Sequence, residues 1–258
     1  MLQQSDNGAL RILTLDRPDQ RNALNLPLLK ALRAALAAAA AEGRVRALIL
    51  TGAGKGFCAG ADIAEWAEAE AAGRLESYGW TEESHGLVDE LFDFPKPSVA
   101  LLNGAAVGAG LDLALACDFR FASDAARFSC AYTKMAYPPD AGGSWFLPRL
   151  IGLAAAKRFV YTGEFWSAAE AKKAGLLSEI HPAETLRAAT IDFAMHLAAG
   201  PTVAIGEAKR LLQAAATRDL RAHLAAEHDA GLRCGRSEDA REALAAAVAR
   251  REPVFKGA

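Results

Sequence analysis

Short apolar runs and stretches of helical spacing alternate along the chain, and this pattern predicts a mixed α/β fold. The continuous apolar runs at 47–51 and 98–103 are typical of fully buried strands. Looser alternation at 10–15 and 119–122 predicts two more strands. A helix is predicted to begin at Pro27, because proline is well tolerated at a first helical position. Strands and helices therefore alternate through the first two-thirds of the chain.

Helical patterns run from Ile63 into the 80s, with Gly73 and Gly79 as predicted interruptions, and they fill the last third of the chain. No change in composition marks a linker between independent domains. We therefore expect one α/β core over 1–200, followed by a helical C-terminal region over 201–258.

Composition and charge narrow the function classes. The chain has 258 residues, and 29 Lys and Arg nearly balance 31 Asp and Glu, for a net charge of −2. Nucleic-acid affinity comes mostly from clustered Lys and Arg, so this balance argues against a nucleic-acid partner. Apolar windows fall short of a membrane span, and the first residues lack a signal-peptide pattern. We expect a cytoplasmic protein with no membrane partner.

Cysteine and histidine spacing argues against a metal site. The four cysteines are scattered without C-x-x-C spacing, so free thiols are expected. The histidines show no metal-ligand pattern, and no metal is expected.

Two glycine-rich loops, 52–62 and 104–110, each connect a predicted buried strand to a helix. Such loops let a ligand approach the backbone, and a helix N-terminus favours negative charge. Neither loop has the spacing of a dinucleotide or Walker A motif, because Gly56 is followed by Phe57 and Lys55 by glycine. The alternative is that these glycines only allow the chain to turn and that the loops bind no ligand. Two backbone N–H groups aimed at one point would form an oxyanion hole.

Four segments carry a resemblance to a known family. The stretches 57–63 and 103–118, together with 22–25 and 168–177, resemble the enoyl-CoA hydratase/isomerase (crotonase) family over essentially the whole chain. The resemblance implies a spiral of repeated ββα units with a helical C-terminal portion. It also implies an acyl-CoA thioester substrate, with coenzyme A as part of the substrate and no separate cofactor. The implied assembly is a homotrimer or a dimer of trimers, with 201–258 as the trimerisation region.

The same resemblance implies a set of site residues. The two oxyanion donors fall on the backbone N–H groups of Ala59 and Ala109. The residues implied in substrate or CoA binding are Arg21, Ala23, Ala59, Gly60, Asp62, Ile63 and Tyr132, with Phe255 and Lys256 reaching a neighbouring subunit's CoA.

The acid–base residues bear on which reaction is catalysed. The hydratases of the family use two glutamates, and those positions hold Asp112 and Tyr132 here. Water addition needs an acid and a base around one water, so a standard hydratase is disfavoured. The Tyr132 hydroxyl either lines the acyl pocket or forms a hydrogen bond within the core.

Asp140 is the candidate proton carrier. The segment 138–145 resembles the subgroup that places a single catalytic aspartate there, which includes double-bond isomerases and the ring-epoxide isomerase of phenylacetyl-CoA breakdown. Two prolines and small neighbours favour a partly desolvated carboxylate with a raised pKa. The alternative is that Asp140 caps the following helix.

His85 leaves a further alternative open. In the 4-chlorobenzoyl-CoA dehalogenase branch of the family, a histidine occupies the position of His85 and a nucleophilic aspartate occupies the position of Asp140. A lone histidine on a helix is, however, more often structural. The sequence thus favours an enoyl-CoA double-bond isomerase or a related aspartate-driven rearrangement. The alternatives are an enoyl-CoA hydratase, an aryl-CoA dehalogenase-like hydrolase and a non-catalytic acyl-CoA-binding homologue.

Overall fold

Strands buried on both faces form the centre of the fold in the computed structural model, which describes residues 1–74 and 77–258. The large sheet contains β1 (Leu2–Asn7), β2 (Leu10–Leu15), β3 (Ala47–Gly52), β4 (Ser98–Leu102), β6 (Phe119–Ser123) and β9 (Glu179–His181), and the small one β5 (Ala106–Val107), β7 (Arg127–Ser129) and β8 (Trp166–Ser167). Strands β1 and β2 are antiparallel, and β2, β3, β4, β6 and β9 pair in parallel in that order. The smaller sheet has the order β5-β7-β8.

Helices follow most of these strands. The helices are α1 (Leu26–Ala41), α2 (Ile63–Ala71), α3 (Trp80–Phe92), α4 (Ala109–Ala116), α5 (Gly143–Ile151), α6 (Leu153–Thr162), α7 (Ala168–Ala174), α8 (Ala183–Ala199), α9 (Thr202–Ala214), α10 (Leu220–Cys234) and α11 (Glu238–Ala249). The predicted interruptions at Gly73 and Gly79 lie between α2 and α3, and residues 75 and 76 of that predicted helical stretch lie outside the described residues.

The chain advances as a spiral. A typical turn contains a strand of the large sheet, a short strand of the small sheet and a helix, as in β4, β5 and α4. This arrangement confirms the predicted spiral of ββα units with a helical C-terminal portion. Helices α9 to α11 form that portion, and its role in trimerisation stays a prediction.

Apolar cores lie on both faces of the large sheet. In β3, Leu48 and Leu50 face one core, while Ala47 and Ile49 face the other, which α8 closes with Leu186. This alternation explains why β3 and β4 are continuous apolar runs, since a strand with both faces covered exposes neither set of side chains.

Within the described ranges, no single helix is both long enough and apolar enough to cross a membrane. Helices α8 and α9 have that length and apolar composition only when they are taken together, and the chain bends by 103° between them.

The side chain of Asn22 forms hydrogen bonds that connect the segment after β2 to the first glycine loop. Its side chain is fully buried, accepts a hydrogen bond from Arg17 N at 2.9 Å, and donates to the carbonyls of Ala53 and Gly56, each at 2.9 Å. Asn22 also has a φ of 58°, a left-handed conformation that asparagine tolerates better than most residues. Asn22, together with Asn103, which donates to the carbonyls of Gly54 and Gly56, therefore holds this loop.

We predict that Asn22→Ala lowers the free energy of unfolding by about 2–4 kcal/mol, because it removes the hydrogen-bond partners of the part-buried Arg17 N–H and Ala53 carbonyl and places alanine in the left-handed region. Urea denaturation provides the measurement. The control is Asn7→Ala at an exposed position, where the change should stay within about 0.5 kcal/mol. Equal losses for the two variants would contradict the role of Asn22.

Candidate active site

The two glycine loops interlock through contacts that leave no room for side chains. A Cβ atom on Gly110 would lie 2.5 Å from the carbonyl oxygen of Cys58. Gly60 has a φ of +94°, and a Cβ atom there would lie 2.8 Å from the carbonyl oxygen of Val107. Between these points the loops pair as strands do, with Val107 N donating to Cys58 O at 3.0 Å. The loops therefore meet backbone to backbone.

This meeting places two backbone N–H groups near each other. Ala109 is the first residue of α4, so its N–H group has no acceptor within the helix. Its nitrogen lies 3.5 Å from the Cβ position of Gly60. The Ala61 N–H follows directly after Gly60, and across the described chain neither this group nor the Ala109 N–H donates a hydrogen bond.

The prediction that Ala59 supplies an oxyanion donor needs correction. The Ala59 N–H donates to the carbonyl of Arg21 at 3.0 Å, so it is already used within the fold. Leu24 forms a parallel β-bridge with Ala61 in the same loop. In this bridge Leu24 N donates to Gly60 O at 2.7 Å, and Asp62 N donates to Leu24 O at 3.1 Å. In such a parallel bridge the N–H of the central residue points away from its partner. Ala61, two residues after Ala59, therefore has an N–H group that the pairing with Leu24 leaves free.

Asp140 lies on an extended segment just before α5. The helix begins at Gly143 with Gly142 as its N-cap and no side-chain capping bond, so the alternative in which Asp140 caps the helix is wrong. The carboxylate is half-buried, and its Oδ1 atom is buried with no hydrogen-bond partner in the described structure. Burial raises the pKa of Asp140, while Tyr132 and His85 oppose that rise.

His85 contacts the main chain at this position. Its Nε2 atom lies 2.6 Å from the carbonyl oxygen of Asp140, and because that oxygen only accepts, Nε2 carries the proton and donates. His85 thus holds the backbone of the Asp140 segment against α3.

Asp112 and Tyr132 form a buried pair. The Tyr132 hydroxyl donates to Asp112 Oδ2 at 2.6 Å, and the Asp112 side chain is fully buried. Burial raises the pKa of Asp112 to about 7, and the nearby Asp140 adds to the rise. Burial and Asp112 also raise the pKa of Tyr132, so the phenol keeps its proton at neutral pH. Of the two alternatives for Tyr132, the hydrogen bond to a core residue is the one observed.

A cavity of about 560 Å³ opens above the glycine loops. Two cationic side chains, Arg21 and Lys55, line it, and Ala59 lies on its wall. The remaining lining residues described are Pro18, Asp19, Gly54, Gly56, Ala105, Val107 and Phe165.

Two residues that are predicted to contact CoA, Asp62 and Ala23, form bonds with other residues of the protein. The Asp62 carboxylate forms an ion pair with Arg17 at 2.8 Å and caps α2 by accepting from Glu65 N at 3.4 Å. Ala23 is buried, and its carbonyl accepts a hydrogen bond from Arg17 at 2.6 Å. Both residues therefore bond to Arg17 within the fold, and their predicted contact with CoA stays a prediction. Ile63 is 48% exposed, so its side chain is open to a ligand.

Phe255 and Lys256 are not among the residues described around the 560 Å³ cavity. Phe255 O accepts a hydrogen bond from Arg46 at 2.9 Å, and Lys256 N donates to Asp239 at 2.7 Å. Their predicted contact with a neighbouring subunit's CoA stays a prediction. Among the residues whose positions are described, no group of three or more His, Cys, Asp or Glu side chains could hold a metal ion.

Comparison with known proteins agrees with this geometry. A model of the family "Enoyl-CoA hydratase/isomerase" matches residues 5–258. A Rhodobacter capsulatus protein described as a probable enoyl-CoA hydratase is 39% identical over 255 residues, covering 96% of this chain and 95% of the relative. The 1,2-epoxyphenylacetyl-CoA isomerase of Escherichia coli is 37% identical over 247 residues, covering 95% and 94%. The solved structure of Pseudomonas aeruginosa PA4980 is 53% identical with a TM-score of 0.85, covering 88% of this chain and 97% of that chain.

The fold and the paired loops thus define an enzyme that acts on acyl-CoA. The chain belongs to the enoyl-CoA hydratase/isomerase family. Its relatives include hydratases and an isomerase, so family membership alone does not choose between the two reactions.

The sequence interpretation missed Ala61 and a group of aromatic side chains near Asp140. Ala61 lies in the quoted motif, but its availability depends on the pairing with Leu24, which lies far away in sequence. The aromatic residues Trp66 and Trp80 fall in the poorly patterned stretch 64–94, where no spacing signals a site.

The raised pKa of Asp112 predicts a pH-dependent difference in stability from Asp112→Asn. In the unfolded chain the carboxyl ionises near its ordinary pKa of 3.8, whereas in the folded protein it does so near 7. The stability that protonated Asp112 contributes is therefore complete below the lower value and lost as pH rises through the higher one. Asparagine cannot ionise, so the free energy of unfolding of the wild type should fall relative to the variant by roughly 2–4 kcal/mol between pH 4 and pH 8.

Urea denaturation of both proteins at several pH values measures this difference. Asp192→Asn, at an exposed position on α8, is the matched control and should show no such trend. A wild-type-to-Asp112→Asn difference that stays constant over this pH range would contradict a raised pKa.

Proposed function

We propose that the protein is an enoyl-CoA double-bond isomerase, or catalyses a closely related aspartate-driven rearrangement. The observation that carries the proposal is the partly buried carboxylate of Asp140, whose Oδ1 atom has no hydrogen-bond partner in the described structure, together with two backbone N–H groups, Ala61 and Ala109, that donate no hydrogen bond there. The second carboxylate, Asp112, is fully buried and hydrogen-bonded to Tyr132.

The two amides activate the thioester. A thioester oxygen seated between Ala61 N–H and Ala109 N–H accepts both hydrogen bonds, and these strengthen as the oxygen gains negative charge. The macrodipole of α4, which begins at Ala109, favours the same charge. Removal of a proton from the carbon next to the carbonyl then gives an enolate that the site stabilises.

Asp140 moves the proton. Its carboxylate takes a proton from C2 of a 3-enoyl-CoA, the electron pair shifts to form the C2–C3 double bond, and the same carboxylic acid returns the proton to C4. Reactant and product differ only in the position of the double bond and that hydrogen. Partial burial raises the pKa of Asp140 towards neutral pH, which makes the carboxylate a better base.

Tyr132 argues against water addition. A phenol that keeps its proton and donates it to Asp112 cannot serve as the second base that holds and activates a water. His85 argues in turn against the dehalogenase alternative, because its Nε2–H is engaged by the Asp140 main-chain carbonyl. The isomerase mechanism needs neither a second carboxylate nor a free imidazole.

The remainder of the acyl-CoA fits the cavity above the loops. Arg21 and Lys55 supply positive charge for the CoA phosphates, beside the wall formed by Ala59 and Gly56. In a trimer or a dimer of trimers, which we also propose, Phe255 and Lys256 would add contacts from a neighbouring subunit.

Ala109→Pro tests the oxyanion hole. Proline removes the N–H group but suits the first position of a helix, so the fold should survive. Turnover should fall by ~10²–10³, the range seen when one such donor is lost. The control is Ala183→Pro at the first, exposed residue of α8, which should leave turnover unchanged. A folded Ala109→Pro protein with wild-type turnover would exclude Ala109 as a donor.

Asp140→Asn tests the proton carrier. Asparagine keeps the shape but cannot accept the proton, so turnover of 3-hexenoyl-CoA should drop by ~10²–10⁴. Affinity for an unreactive acyl-CoA and the melting temperature should stay nearly unchanged, because the lost interaction belongs to the transition state.

Product analysis separates the possible reactions. Isomerisation leaves the mass unchanged and creates the absorbance of a conjugated enoyl thioester, whereas hydration adds the mass of one water. Hydration of crotonyl-CoA that is faster than isomerisation of 3-enoyl-CoA substrates across chain lengths would overturn the proposal in favour of a hydratase. Full activity in Asp140→Asn would overturn the assignment of the base.

A further inference from the structure

The Tyr132 hydroxyl has one proton and lies beside two carboxyl groups. Its oxygen lies 2.6 Å from Asp112 Oδ2. It also faces Asp140, because burial raises the pKa of that carboxyl and hydrogen bonding from Tyr132 opposes the rise. Burial raises the pKa of Tyr132 and of Asp112, and Asp140 adds to each rise, so the three groups are neighbours. A hydroxyl group donates one hydrogen bond, so Tyr132 can serve only one carboxylate at a time.

A second contact joins Asp112 to the segment that carries Asp140. The Asp112 carboxyl packs against Gly143, three residues after Asp140, and a Cβ atom on Gly143 would lie 2.4 Å from Asp112 Oδ1. The main chain of this segment therefore approaches the carboxyl as closely as glycine allows. Asp112 thus faces the Asp140 segment both directly and through the Tyr132 hydroxyl.

The two carboxyl groups have few other partners. The Oδ1 atoms of Asp112 and Asp140 are both buried, and neither has a hydrogen-bond partner in the described part of the chain. The other titratable groups that face the pair are those of His85, Cys130, Tyr78, Glu82 and Tyr137.

These surrounding groups leave Tyr132 as the shared donor. The His85 Nε2–H is engaged by the main-chain carbonyl of Asp140, and the buried Tyr78 hydroxyl forms no hydrogen bond among the described residues. Burial raises the pKa of the Cys130 thiol, so that group stays protonated and neutral. Two adjacent carboxylates repel each other, so the pair keeps one proton more readily than it loses both.

Asp140 loses its proton at a lower pH than Asp112. The Asp112 side chain is fully buried, whereas Asp140 is half-buried, and burial disfavours the charged form. Burial raises the pKa of Asp112 to about 7. While Asp112 is protonated, its hydroxyl can donate to the Tyr132 oxygen, and the Tyr132 proton is then available to the ionised Asp140.

We propose that Tyr132 is a positioning residue for Asp140, and that Asp112 decides which carboxylate the Tyr132 hydroxyl serves. While Asp112 is protonated, hydrogen bonds run from Asp112 through Tyr132 to the Asp140 carboxylate and hold it in place. When Asp112 ionises, the Tyr132 hydroxyl donates to Asp112 and Asp140 loses its donor. The inference rests on the proposed function for the role of Asp140 as the base.

Titration of the carboxyl groups tests this coupling without turnover. The measurement is carbon-13 NMR of protein labelled at the aspartate carboxyl carbons, with the two signals assigned from Asp112→Asn and Asp140→Asn. In the wild type the Asp140 signal should respond twice, at its own ionisation and again near pH 7 as Asp112 ionises. In Asp112→Asn the upper response of Asp140 should vanish, because asparagine does not ionise.

Tyr132→Phe removes the shared donor and keeps the ring. Loss of a hydrogen bond to an ionised carboxylate should raise the lower step of the Asp140 titration by about 1–2 pH units. The acid limb of kcat/KM for 3-hexenoyl-CoA should move by the same amount, because that limb reports the base of the free enzyme. The matched control is Tyr161→Phe on α6, where the tyrosine is 69% exposed, and it should move neither.

The outcomes distinguish this inference from the proposed function. A lower step of Asp140 that stays in place in Tyr132→Phe, or an upper response that persists in Asp112→Asn, would overturn the inference. Lower turnover in Tyr132→Phe with an unshifted acid limb would show a role in shape alone and would also overturn it. Should Tyr132→Phe not fold, the upper response in Asp112→Asn still decides. Failure of the isomerase proposal would show instead in the products, with the carboxyl titrations unaffected.

Discussion

The site depends on a contact between two stretches of backbone that only glycine permits. Gly110 lies against Cys58, and Gly60 lies against Val107, at separations where a β-carbon would collide with main-chain atoms. These contacts bring the amide after Gly60 and the amide at the start of α4 to the same place. A larger residue at either glycine would push the loops apart and separate the donors, although the sheet and its two cores could remain intact. The arrangement of the strands thus positions the loops, and the loops position the two backbone N–H groups.

The parts of the site come from different turns of the spiral. The amides belong to the loops after β3 and β4, while Asp140 lies on the segment before α5, held to α3 by His85. In the proposed mechanism, separate pieces of chain therefore handle the thioester oxygen and the migrating proton. A change of residue near Asp140 would then alter the reaction without disturbing the groups that polarise the thioester. Such a division is consistent with hydratases and an isomerase among the relatives of one fold.

Local patterns in the sequence were sufficient for much of the fold. Strands β3 and β4 were predicted because both of their faces are covered, which produces continuous apolar runs, and α1 was predicted from its spacing and its proline. The short strands β7, β8 and β9 were not predicted, because two or three residues carry too little periodicity. For the site, the family motif indicated the amide of Ala59, but that N–H group donates to the carbonyl of Arg21. Only the pairing of Leu24 with Ala61, set by long-range folding, reveals which N–H group is free.

The docking of the N-terminal segment has a consequence for the order of assembly. Asn22 and Leu24 contact partners more than thirty residues later in the chain, and Trp80 reaches back to the same segment. During synthesis Asn22 and Leu24 leave the ribosome before the loop after β3 and before α3, so they cannot dock until those later segments have been made. Closing such long chain segments costs entropy that only the completed contacts repay. A segment that is made early is thus secured late, and a protein that turns over its substrate has already completed that step.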